Sequence, residues 1–327
     1  MIRGRGPSLT VGVLRWPLPY GRGAALSRGA ALRRFKPIVS KLLAFVLRHR
    51  AILAVGICSL IALSHVQYAN HRLLDWDIYY HLKFSLLSLR SGIMQDFPWC
   101  QFSLFKDSFA DKEFLFHVLL MPFVGYDPYE AGKLFPVVVG TLIVLLLFLV
   151  LRQHKVIYPW LWLLLLLAWT PVFLFRFISP RPHLLAMIAF VLMVHAVMTQ
   201  RRLLIFAVAC FFPLTHSLAV LIWTLPVLYE INRFRLRQKV DWRSTAVTFA
   251  GLLVGFVAHP NFPNNVRVLY IQAVVIPRML WFGKDLRFGM EFLPFDTRSF
   301  LLQNWLPILL NAAVWCGTLR VPARPTP

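Results

Sequence analysis

The chain has 327 residues, is 58% hydrophobic with a mean hydropathy of +0.65, and carries 28 Phe and 11 Trp. Apolar runs of roughly 16 to 20 residues recur along it, which argues against a soluble globule and for an all-α polytopic membrane protein. Its net charge of +22 does not point to a nucleic-acid partner, because eleven Arg/Lys and no acid fall in the first 50 residues instead of on a patterned face.

Spanning helices are expected because backbone polar groups in lipid must be satisfied within their own segment. A β-barrel would need alternating strands, and VVVGTLIVLLLFLVL (137–151) does not alternate. Cys58, Cys100, Cys210 and Cys316 show no CxxC spacing, so neither a metal knot nor a disulfide framework is suggested.

In chain order, residues 1–41 read as a basic, disordered cytoplasmic tail, or in part as an over-extended translation start. An Arg-rich, acid-poor transit peptide is the alternative. A membrane domain is expected over 42–319 and a short tail over 320–327. Spans are expected at about 47–67, 133–151, 156–176, 182–199, 203–214, 217–231, 243–258 and 303–319. Pro213 in PLTH offers the alternative of one long kinked helix in place of the fifth and sixth. Charge decides for eight spans. With the N-terminus inside, the inner segments hold 22 basic residues and 2 acids, and the outer segments hold 13 and 11. The segment EFLFHVLLMPFVG (113–125) is too short for a comfortable crossing and reads as a juxtamembrane helix at the outer surface. Large outer loops are then expected at 68–132 and 259–302.

The first outer loop begins LLDWDIYYHLKFSLLSL (73–89). Asp77, His81, Ser85 and Ser88 fall on one stripe of an amphipathic helix, with Ile78, Leu82, Leu86 and Leu89 on the adjacent one. Asp75 suits an N-cap, whose side chain accepts a first-turn N–H, and Asp77 is left over for chemistry. KDSFADKEFLFH (106–117) adds Asp107, Asp111 and Glu113, so that eight of the 13 acids fall between Asp75 and Glu130. Carboxylates at a membrane face suit a general base for a hydroxyl, or oxygen ligands for Mg2+ or Mn2+ drawn from Asp77, Asp111 and Glu113. FRFISPRPHLL (175–185) places Arg176, Arg181 and His183 at an outer mouth, as a phosphate site or as interfacial anchors. His216, His259, Glu291 and Arg298 complete the outer-face candidates. No acid lies within a span away from its ends, which counts against an ion-coupled transporter.

DWDIYYHL, DKEFLFH, RPHLL, HPNFP and EFLP, in this order along the loops, resemble the GT-C superfamily of integral-membrane glycosyltransferases. That group includes protein O-mannosyltransferases, aminoarabinose transferases and oligosaccharyltransferase catalytic subunits. The resemblance implies a GT-C-like helical bundle and a polyprenyl-phosphate-linked sugar donor. It also implies transfer to a glycan, lipid or protein acceptor at the outer face of a bacterial cytoplasmic membrane. By position it gives Asp77 the role of base or metal ligand, with Asp75 as its partner. Asp111 and Glu113 become the second acidic site, and Arg181 or Arg176 the donor-phosphate partner. Members often have further spans and sometimes a C-terminal domain, so this chain is short for the group. A transporter of lipid-linked intermediates and a non-catalytic or truncated partner subunit are the competing expectations.

Overall fold

Prolines or short polar caps mark the starts of several helices of this chain. The structure is a computed structural model describing residues 47–73, 75–167, 170–216, 219–284 and 296–320. The expected basic tail at 1–41, residues 321–327 and Glu291 lie outside the described residues. Two units partition the chain, Met1–Arg50 and Ala51–Pro327, and the packing below belongs to the second. Every regular element among the described residues is helical.

Helix α1 runs Leu47–Tyr68. It is followed by α2 (Trp76–Ser91), α3 (Phe114–Val124), α4 (Pro128–Gln153), α5 (Pro159–Leu167), α6 (Pro171–Phe177) and α7 (His183–Met198). The remaining helices are α8 (Arg202–Thr215), α9 (Thr224–Arg235), α10 (Arg243–Val257), α11 (Asn264–Tyr270), α12 (Ile276–Trp281) and α13 (Thr297–Arg320). The best-specified start is that of α4. There Pro128 supplies a first-turn φ, Asp127 caps by accepting from the Glu130 N–H at 2.8 Å, and Glu130 adds a first-turn negative charge.

Among the described residues only α1 and α4, with 22 and 26 residues, are long and apolar enough to cross a membrane. The helix α3 and the helices α7, α8 and α10 are shorter but apolar. Several expected spans are therefore not single straight helices. The stretch 156–176 divides into α5 and α6, because Thr170 caps a new helix whose first residue is Pro171. A tight 3-10 stretch, Ala219–Trp223, precedes α9 in the stretch 217–231. The stretch 303–319 lies in α13, which kinks at Asn304 three residues before Pro307. The fifth and sixth segments stay separate, since α8 stops at Thr215 and His216 is extended.

Two apolar clusters share α7 as a common spine. Leu184 and Leu185 join Leu63, Ile78, Leu82, Phe116, Phe135, Ile143 and Phe177 in the first. Further along the same helix, Ala189, Met193 and Ala196 pack with Ile205, Ala209, Phe212, Ile222 and Leu252 in the second. Helices α8 and α10 approach very closely at Gly251 and Gly255. A Cβ on Gly255 would lie 2.4 Å from the Cys210 carbonyl oxygen, and one on Gly251 would lie 2.7 Å from both Ala209 Cβ and the Phe206 carbonyl oxygen.

One polar tie fixes the entry to the first loop. Lys133, 1% exposed, donates from Nζ to the carbonyls of Gln67, Asn70 and Arg72 at 2.7–3.0 Å, while Gln67 Nε2 donates to the Gly132 carbonyl at 3.1 Å. The last carbonyls of α1 and the turn after it are thereby satisfied by a side chain from the first turns of α4. That turn delivers Asp75.

Both stripes expected of α2 are largely buried. Ser85 and Ser88 are buried together with Ile78, Leu82 and Phe84, and Ser88 lines a small cavity with Phe114, His117 and Met121 of α3. The large side chains that α2 exposes are Trp76, Tyr79, Tyr80 and Leu89. Likewise α3 buries Phe116, His117, Leu120 and Val124, packing against α2, α4 and α8.

Candidate functional site

Three local structures converge: the start of α2, the approach to α3, and the turn between α6 and α7. Asp75 is the N-cap of α2, and its Oδ1 accepts from the Asp77 N–H at 3.2 Å. The same carboxylate receives a two-pronged donation from the Arg181 guanidinium, which uses Nε and Nη2. Arg181 Nη2 also reaches Asp77 Oδ2 at 2.8 Å. One guanidinium thus ties together the two aspartates that flank Trp76. Burial pushes the Asp75 carboxyl upward, but hydrogen bonds and charge from Arg181 outweigh it and hold the group below its ordinary value. Asp75 is 7% exposed and Asp77 54% by side chain, so only Asp77 faces solvent.

On the approach to α3, Asp111 is fixed from behind. Its N–H donates to Asn261 Oδ1 at 3.0 Å, and its carbonyl accepts from His259 Nε2 at 3.0 Å. His259 Nδ1 in turn accepts from the Asn261 N–H at 3.1 Å, which sets the neutral tautomer with the proton on Nε2. Asn264 Nδ2 donates to the Phe109 carbonyl, and Arg267 Nη1 to Ser108 Oγ. The HPNFPNN segment is therefore a clasp on the 108–111 strand of chain.

Asp111 presents both carboxylate oxygens to His117 Nδ1 at 2.9 Å, so that ring carries its proton on Nδ1. His117 Nε2 then faces His81 Nδ1 at 2.9 Å. Glu113 Oε2 lies 3.9 Å from the same His81 nitrogen, and its other oxygen is 3.8 Å from Lys112 Nζ. Burial pushes the His81 imidazole down, to about 2, assisted by the nearby His117, Arg181 and Lys112. It pushes the Glu113 carboxyl up, against the pull of Lys112 and His117.

Across from these, His183 Nε2 donates to the Arg176 carbonyl at 2.6 Å and shapes the turn that carries both arginines. His216, at the end of α8, stacks on Phe212 with an interplanar angle of 14°.

A cavity of about 660 Å3 is lined by Asp77, His81, Asp111, Glu113, Arg176, Arg181, His183 and His216, together with Tyr80, Phe105, Ala110, Lys112 and Pro182. Eight of the twelve side chains singled out in the sequence therefore share one space. Asp75 lies beneath it, bound to Arg181, and His259 lies behind Asp111. Arg298 is exposed on α13 and takes no part in the lining.

Sequence reasoning missed His117, Lys112, Tyr80 and the Lys133 tie. For His117 the signal was present. Glu113 and His117 are four apart, as are Asp77 and His81, so each pair occupies one helix face, and the two faces meet. Among the described residues, the donor atoms that gather within 4.8 Å of one another belong to His81, Glu113 and His117. That group contains one of the three carboxylates expected to hold Mg2+ or Mn2+ and two imidazoles that were not. Asp111 instead spends its oxygens on His117 and on the Glu113 N–H, and Asp77 is paired with Arg181.

Comparison with family models, with curated proteins and with solved structures finds no match.

Proposed function

We propose that the chain is an integral-membrane glycosyltransferase of GT-C type, taking its sugar from a polyprenyl-phosphate donor. The observation that carries this reading is the single cavity on which Asp77, Glu113, Arg176 and Arg181 converge. An acceptor hydroxyl needs a base, and a departing lipid phosphate needs paired cationic donors. Both kinds of group line that space.

Asp77 is the base. It sits in the first turn of α2 and is the more exposed of the two aspartates. Asp75 is a positioning residue that caps α2 and orients Arg181. Arg181 is committed to both aspartates, so Arg176 suits the donor phosphate better. In the transfer, Asp77 takes the proton of the acceptor hydroxyl while the acceptor oxygen bonds to the anomeric carbon. The sugar–phosphate bond breaks and its electrons leave with the lipid phosphate, beside Arg176 and Arg181. Tyr80 also borders a mostly apolar groove of about 480 Å3 lined by Lys83, Phe84, Leu87, Phe97 and Trp99, which offers a course for the polyprenyl chain.

The reading is completed by eight membrane segments, the short helices α5 and α6 forming one of them. The cavity opens at the outer face of a bacterial cytoplasmic membrane, and the N-terminus lies inside. The charge distribution supports this, with a net of about +20 on the inner side and about +2 on the outer.

The test is sugar transfer by membranes holding the full chain, assayed with a panel of polyprenyl-phosphate hexoses. Asp77→Asn is expected to lower transfer by about 10²–10⁴-fold with unchanged expression and insertion. Wild-type rates in that variant would remove Asp77 as the base, and no transfer from any donor by the wild type would remove the reaction.

A further inference from the structure

The buried junction of α2 and α3 carries more chemistry than a base and a phosphate site require. His81 is 5% exposed and His117 1%, and Glu113 is 13% exposed by side chain. Their donor atoms gather within 4.8 Å, and a carboxylate stands behind one of the imidazoles. We propose that His81, Glu113 and His117 form a binding site for a divalent transition ion of the zinc class, with Asp111 as the carboxylate that orients His117.

Four observations support it. First, His117 donates its Nδ1–H to Asp111 at 2.9 Å, which leaves the Nε2 lone pair directed at His81. A carboxylate behind a ligating imidazole is the usual arrangement that fixes its tautomer and raises its basicity. Second, the His81 Nδ1 to His117 Nε2 separation of 2.9 Å is close to what a shared ion demands. Two nitrogens each about 2.0–2.1 Å from a tetrahedral ion stand roughly 3.3–3.4 Å apart, so a shift of a few tenths of an ångström suffices. Third, two imidazoles and one carboxylate are the donors that transition ions select, whereas Mg2+ prefers an all-oxygen shell. Fourth, His81 and Glu113 also line the cavity, so three protein ligands leave a position open on the side where substrate would enter.

The alternative occupant of the gap between the two rings is a proton, held on His81 Nδ1 and donated to His117 Nε2. Metal binding separates the two, and it does so whether or not the chain transfers sugar. The full chain, purified in detergent without chelator, should retain close to one equivalent of zinc by elemental analysis. After stripping it should take up one equivalent of Co2+ with the visible absorption of a four- or five-coordinate site. His81→Asn and Glu113→Gln should each abolish the Co2+ spectrum, and Asp111→Asn should weaken Zn2+ binding by about 10–100-fold. A wild-type chain that is folded, by its thermal transition, yet neither retains zinc nor takes up Co2+ would overturn the proposal. So would a Co2+ spectrum that survives both His81→Asn and Glu113→Gln.

Discussion

Arg181 is held by two aspartates at once, and the two contacts do different work. Asp75 is 7% exposed, so its carboxylate depends on the guanidinium for its charge balance. Asp77 is half open to the cavity and can also be served by water. Removing one partner of a buried pair leaves an uncompensated charge and costs about 3–5 kcal/mol. Arg181→Ala is therefore expected to lower the thermal midpoint of the purified chain by several degrees. Arg176→Ala should leave the midpoint close to wild type and raise the KM for the polyprenyl-phosphate donor. An Arg181→Ala midpoint equal to wild type would refute the ion-pair account. The cap at Asp75 was legible in the sequence because N-capping is a local rule, and the acids and arginines of the cavity were legible because such residues stand out in an apolar chain. What Arg181 does with them was not. Its partners lie 106 and 104 positions away, and no local rule reaches that far. His117 shows the other limit. Its helical spacing from Glu113 was readable, but its value as a ligand comes from Asp111, which precedes the helix and is aimed by Asn261 and His259, about 150 residues later.

Among the helices, α8 and α10 meet by backbone contact, and that contact bears on the site. Gly251 and Gly255 are four apart on α10, and a Cβ at either would run into the α8 backbone or a small side chain. Small residues at this spacing allow helices to approach closely where no hydrophobic force favours one helix over lipid. Helix α10 leads directly into His259 and Asn261, so the α8–α10 spacing sets where the clasp on Asp111 stands. Gly255→Ala must part the two helices and is expected to cost about 1–3 kcal/mol through overpacking. Gly56→Ala meets only the flexible Leu145 side chain, at 3.4 Å, and should be nearly neutral. Comparing the thermal midpoints of the two variants in detergent checks this, and equal losses would contradict it. The extent of the apolar segments was legible because hydropathy is additive along the chain. Their continuity was not. The break between α5 and α6 depends on a Thr170–Pro171 cap inside a run that hydropathy reads as unbroken, and the kink at Asn304 leaves no hydropathic mark.

For the molecule as a whole, the open question of topology comes down to α3. Its 11 residues span roughly 16–17 Å, about half of the hydrocarbon thickness. They also carry a buried face, with Phe116 and Leu120 fully enclosed and His117 committed to Asp111. A helix that buries this polar network against α2 fits the proposed outer-loop placement better than a crossing. The positive-inside count agrees, because a crossing at α3 would send the basic segment between α9 and α10 to the outer side. The two topologies give different labelling patterns. In a chain whose other cysteines are replaced, Cys100 reports the first loop, and an added Gln238→Cys reports the exposed segment after α9. With eight segments and α3 outside, a membrane-impermeant maleimide should label Cys100 in intact cells whose outer envelope is permeabilised, and should label position 238 only after lysis. Labelling of both before lysis would make α3 a ninth crossing. The later turns would then change sides, and Arg176, Arg181 and His183 would be separated from Asp77 by the membrane, although their side chains meet it across a single cavity. The contact between Arg181 and Asp77 is therefore itself an argument for the eight-segment arrangement, and the labelling experiment tests the topology and the shared site together.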